Sequence, residues 1–107
     1  MMKVCYSELD GPEGLSCRLE AAGHAGFAPA GQDIVCAGVS AISWALLGYL
    51  DGRGLLEDAW ADKGAMGLDI REDERARAAL ELAMTGYQQL REKYPQNVEV
   101  IDAAQGG

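Results

Sequence analysis

Residues 23–50 read GHAGFAPAGQDIVCAGVSAISWALLGYL, and the reading of this stretch decides the rest. It opens with His24, the one histidine in the chain, and places Cys36 beyond a Gly/Pro/Ala loop. The loop covers residues 25–32 and carries Gly26, Pro29 and Gly31, so it cannot continue either a strand or a helix. Asp33 is a good helix N-cap, and an uncharged, strongly apolar helix is expected from Ile34. Val35, Val39, Ile42, Leu46 and Tyr49 recur at helical spacing as its apolar face. Gly38, Ala41, Ala45 and Gly48 form a stripe of small residues where another backbone can approach, from within the chain or from a second subunit. Cys36, Ser40 and Ser43 share a third face. Asp51-Gly-Arg-Gly54 ends the helix.

Upstream, residues 2–9 alternate, with Met2, Val4 and Tyr6 against Lys3, Cys5 and Ser7, the pattern of a half-buried strand. Pro12 and its flanking glycines make a turn. Leu15, Cys17, Leu19 and Ala21 then alternate with polar neighbours up to Gly23, which predicts a hairpin. Strict parity puts His24 on the side of Arg18 and Glu20, but a bulge at Gly23 would reverse that. Downstream, residues 55–61 and 65–70 read as a second hairpin around Asp62-Lys63-Gly64. Residues 72–94 form the clearest helix, with Ala76, Leu80, Ala83, Met84, Tyr87 and Leu90 as its stripe and an acidic start at Glu72, Asp73 and Glu74. Residues 97–102 alternate as a last strand, followed by a frayed tail. These elements predict a single domain over residues 1–107. The expected fold is an α+β two-layer sandwich, a mostly antiparallel sheet of about five strands with two helices.

The composition is that of a soluble globular protein, 49% hydrophobic and 24% charged over 107 residues, with room for a core. The formal net charge of −8 argues against direct nucleic-acid binding and favours a basic partner. Three cysteines without a C-x-x-C pair, beside one histidine, fit neither a disulfide framework nor a zinc site of ordinary spacing. No metal and no cofactor is expected. The N-terminus lacks an apolar signal core, and the uncharged run 34–50 reads as a buried helix rather than a membrane span. The expected location is the cytoplasm, with reduced thiols.

Cys36 falls at the third helical position, where unpaired N–H groups and the helix dipole favour an anion and hence a reactive thiolate. His24 can serve as its base or as an imidazolium partner. On spacing alone plainer readings remain: a cysteine in an apolar helix is usually a small core residue, and a lone histidine at a strand end is usually a surface one. Cys5 and Cys17 read as structural. Ser40 reads as a hydrogen-bonding neighbour of the site. A phosphate cradle does not fit, because the loop lacks a G-K-[S/T] ending and Asp33 brings negative charge. Acidic pairs such as Asp58 and Asp62 belong to turns more often than to metal sites.

The motif GHA, a loop, then DIVCAGVS resembles the ribosomal-processing cysteine protease (Prp) family. The resemblance implies a bacterial cytosolic endopeptidase with Cys36 as nucleophile, His24 as general base, and a Cys36 acyl-enzyme. It matches Gly23, Asp33 and Ser40 to supporting positions. It makes the loop with Ala25, Gly26, Phe27, Gly31 and Gln32 a mobile segment over the substrate. The implied substrate is the N-terminal extension of large-subunit ribosomal protein twenty-seven, a basic tail suited to an acidic enzyme, and the implied assembly is a homodimer. A non-catalytic acidic, ribosome-associated binding module of the same fold is the alternative. The two differ in whether Cys36 is reactive.

Overall fold

The structure is a computed structural model and describes residues 1–11, 14–23, 33–62 and 64–102. The chain order is β1 (Met2–Gly11), β2 (Gly14–Gly23), α1 (Ile34–Asp51), β3 (Leu56–Asp62), β4 (Ala65–Arg71), α2 (Glu74–Lys93) and β5 (Val98–Asp102). The five strands form one sheet in the order β3-β4-β2-β1-β5. All pairings are antiparallel except β1 with β5. This is the expected α+β architecture, and both expected hairpins are present. β1 meets β2 from Met2↔Gly23 to Gly11↔Gly14. β3 meets β4 up to Asp62↔Ala65, with a register shift between Leu56 and Asp58.

Topology explains why both helices lie on one face. α1 joins β2 to β3 and α2 joins β4 to β5, and each of these strand pairs is parallel. The crossovers start from oppositely directed strands and travel in opposite directions along the sheet. Right-handed connections therefore place both helices on the same side. The strand residues facing them are the ones that alternation selected: Met2, Val4, Tyr6, Cys17, Leu19, Ala21, Leu68, Ile70 and Val98 are all buried.

On α1 the buried residues are Val35, Val39, Ser43, Leu46 and Leu50. The expected apolar face is thus rotated: Ile42 is half-buried and Tyr49 is 37% exposed. The rotation brings a serine into the core without leaving it unsatisfied. Ser43 Oγ donates to Val39 O at 2.8 Å and lies 2.7 Å from Tyr87 Oη of α2. The small-residue stripe is only partly used. A Cβ on Gly38 would touch Leu90, and one on Gly86 of α2 would press on Ile42, so each helix seats one side chain over the other's glycine. Ala41, Ala45 and Gly48 stay exposed.

The helix ends follow their sequence signals. Asp33 caps α1. The chain leaves that helix through Gly52 and Gly54, the latter at φ +67°, and the N–H of Leu55 closes onto Leu50 O at 3.0 Å. α2 starts at Glu74 with Asp73 as N-cap, two residues later than expected, because the Asp73 carboxylate takes the Arg75 N–H at 2.8 Å. Glu72 stands outside the helix and pairs with Arg77 at 2.6 Å. The last strand begins at Val98 after the Tyr94–Asn97 turn. α1 is long and apolar enough to cross a membrane, but here its buried side supplies much of the core.

Candidate functional site

At the end of the sheet where β1 starts and β2 stops lies a cavity of about 280 Å³. Its lining brings together Gly23 of β2, Cys36 and Ser40 of α1, Met2 of β1, and Ala61, Asp62, Ala65 and Met66 from the second hairpin. Ser43 and Trp44 complete the wall along α1. Cys36, Ser40 and Trp44 follow one another at single-turn intervals along one side of the helix.

Cys36 is half-buried, the third residue of α1, and its N–H donates to Asp33 Oδ1 at 2.9 Å. The next amide, Ala37 N–H, donates to Asp33 O at 3.0 Å. Asp33, extended at φ −82° and ψ 96°, therefore satisfies two donors and fixes where the helix begins. This narrows the oxyanion chemistry open to the site. The amide of Cys36 itself is engaged by the cap, while among the described bonds none takes the N–H groups of Ile34 and Val35.

Gly23 ends β2 at φ +103°, a conformation that side chains oppose, and its N–H donates to Gly64 O at 2.9 Å. A Cβ there would collide with the carbonyl oxygen of Met1. Glycine is thus required at the point where the chain leaves the sheet beside the cavity. Ser40 is half-buried on the cavity wall, one turn beyond Cys36. His24 and the loop residues Ala25, Gly26, Phe27, Gly31 and Gln32 lie outside the described residues. The structure thus brings Gly23, Asp33, Cys36 and Ser40 to one place.

The other two cysteines sit elsewhere. Cys17 is buried, with its sulfur 3.2 Å from Tyr6 Oη, and burial together with that thiol pushes the Tyr6 phenol well above its ordinary value. Cys5 is half-buried on a residue that alternates to the helix-free face. All three cysteines are free thiols. Among the described residues no group of His, Cys, Asp and Glu is arranged to hold a metal ion.

Sequence reasoning missed the far wall of the cavity. Trp44, 56% exposed, could have been found as the residue one turn beyond Ser40. Met2, Ala61, Asp62 and Met66 had no local signal, since only the strand order brings them there.

The family model for cysteine protease Prp matches residues 1–99. The chain belongs to this family. As a Prp family member it is a cysteine protease. Solved structures agree on the fold. An essential ribosomal processing protease Prp from S. aureus, in complex with a covalently linked product peptide, superposes with a TM-score of 0.79 at 24% identity, over 95% of this chain and 99% of that one. SMU.848 from Streptococcus mutans gives 0.73 at 27% identity, over 95% and 93%. The S. aureus protease with a substrate peptide gives 0.72 at 23%, over 95% and 99%. No curated protein matches the sequence.

Proposed function

We propose that this Prp-family protease removes the N-terminal extension of large-subunit ribosomal protein twenty-seven in the bacterial cytoplasm, with Cys36 as nucleophile and His24 as general base. The observation that carries this reading is the position of Cys36, in the first turn of α1 and on the wall of a cavity of about 280 Å³. The S. aureus relatives described as ribosomal processing proteases with bound peptide support it. The Cys36 thiolate attacks the scissile carbonyl and forms a thioester, and the leaving amine takes its proton from His24. Water then hydrolyses the thioester, with His24 as the base. The N–H groups of Ile34 and Val35 are the donors left for the developing oxyanion. A net charge of −8 suits a basic ribosomal tail.

The working form is a homodimer, and the face that suits it is the apolar groove between α1 and α2. The groove has a volume of about 590 Å³ and includes Ile42, Ala45, Tyr49, Ala79, Leu82 and Gly86. Leu82 stands 76% exposed on it, so a twofold contact would seat each Leu82 in the other copy's groove.

Mass spectrometry of a peptide carrying the extended ribosomal N-terminus, incubated with wild type and with Cys36→Ala, tests the activity. One cut by wild type and none by the variant is the expected result. No cut by either, with slow iodoacetamide labelling of Cys36, would overturn it. Leu82→Arg followed by sedimentation tests the dimer, and an unchanged mass distribution would move the interface elsewhere.

A further inference from the structure

β3 is the outermost strand of the sheet, and among the described residues only β4 pairs with it. Every residue of β3 except Leu56 is exposed. Its sequence, LEDAWAD, carries three carboxylates and no cation.

The hydrogen bonding shows which backbone groups face outward. The N–H of Ala59 is held by the carboxylate of Asp58, Oδ1 at 2.9 Å, so it points away from β4. In an antiparallel ladder, residues alternate between pairing with the partner and pointing away from it. Ala61 therefore also turns its N–H and C=O to the open edge. Ala61 and Asp62 line the same cavity as Cys36. The open edge thus ends at the cavity that Cys36 lines.

We infer that an extended, basic segment of the substrate docks on this edge as an added strand, pairing with the backbone of Ala61 and delivering the scissile bond to Cys36. The inference rests on the protease reading above and names how that site holds its substrate. Strand addition supplies affinity from backbone bonds whatever the side chains are, and the flanking charges then select among sequences. Glu57, Asp58 and Asp62 act in both directions. They repel the same edge of a second copy of this acidic chain, which an unguarded edge would attract. They draw in a strand of lysines and arginines.

The test measures binding apart from cleavage. A fluorescein-labelled peptide spanning the processing site of the ribosomal protein is titrated against the Cys36→Ala protein, with and without Ala61→Pro. Proline is tolerated where the N–H faces away from the sheet, so β3 keeps its bonds to β4 and circular dichroism reports an intact fold. The expected result is binding weaker by about tenfold, one backbone bond's worth. Unchanged binding by the folded variant would overturn the docking mode, and so would absence of binding to the Cys36→Ala protein. An N-methyl scan of the peptide decides the matter even if Ala61→Pro unfolds. Loss at every second amide is the mark of strand pairing, whereas a flat or contiguous profile rejects it. An alternating profile with no cleavage by wild type would keep the docking edge and reject the protease reading. Cleavage without alternation would do the reverse.

Discussion

The hydroxyl of Tyr87 donates to Ser43 Oγ across 2.7 Å, from the middle of α2 to the middle of α1. The direction follows from the single proton on Ser43, which is already given to Val39 O. Ser43 also lines the cavity of Cys36, so this bond ties the cavity wall to the second helix. Removing either partner has unequal effects. Tyr87→Phe deletes the donor and leaves Ser43 with its own donated bond, at a cost of about 1 kcal/mol. Ser43→Ala strands a fully buried phenol, at a cost of about 1–3 kcal/mol. Urea unfolding of the two variants should rank them in that order.

Two tyrosines set the behaviour of the protein in alkali. Burial raises the Tyr87 phenol above its ordinary value of 10.0. Burial also raises Tyr6, reinforced by the Cys17 thiol beside it. A pKa higher in the folded state than in the unfolded state means that the contribution is complete below the unfolded value and is lost as pH climbs through the folded one. The urea midpoint should therefore hold up to about pH 10 and fall beyond it, and Tyr6→Phe should flatten the fall.

Asp33 can be tested as a cap apart from its charge. Asp33→Ala removes the acceptor of the Cys36 N–H and should lower stability by about 1 kcal/mol, while Asp33→Asn, which caps as well, should not. If the freed amide of Cys36 joins the oxyanion donors, turnover by Asp33→Ala will exceed what its stability suggests. Single-turnover cleavage compared with urea midpoints separates the two effects.

Glycine replacements should have opposite signs at two positions. Gly23→Ala forces a side chain into a positive φ and against the Met1 carbonyl, and should destabilise by about 1 kcal/mol or more. Gly48→Ala meets nothing within 4 Å on the exposed side of α1 and should stabilise by about 0.5–1 kcal/mol. Thermal melts of the two variants check the contrast.

Gly67→Ala should report on the helix-free face. The Trp60 ring lies directly over Gly67, with the Arg18 guanidinium 5.3 Å from its centre and joined to Asp69 in a two-pronged ion pair at 2.7 and 3.0 Å. An added methyl pushes the ring off the sheet. In a Trp44→Phe background, Trp60 emission should shift to the red.

Local chemistry was legible wherever one element decided it. Alternation identified both hairpins, Asp33 marked the start of α1, and the stripe on α2 named the residues that pack. Three things were not legible. Strand order is a long-range outcome, so nothing near Ala61, Asp62 or Met66 announced that they face Cys36. Ser43 reads in the sequence as part of a third face with Cys36 and Ser40, not of the core, because its partner, Tyr87, lies a whole hairpin and most of a helix away. Tyr49 looked apolar enough to bury, but Leu50 takes that place.

The last described strand in chain order, β5, pairs with the first. Met2 N–H donates to Asn97 O at 2.9 Å, β5 then runs along β1, and Met2 is part of the cavity beside Cys36. No residue of β5 is among those lining the cavity, so β5 bears on it only through the strand that it braces. β1 is thus held on both sides, by β2 and by β5, at the end that walls the cysteine's cavity.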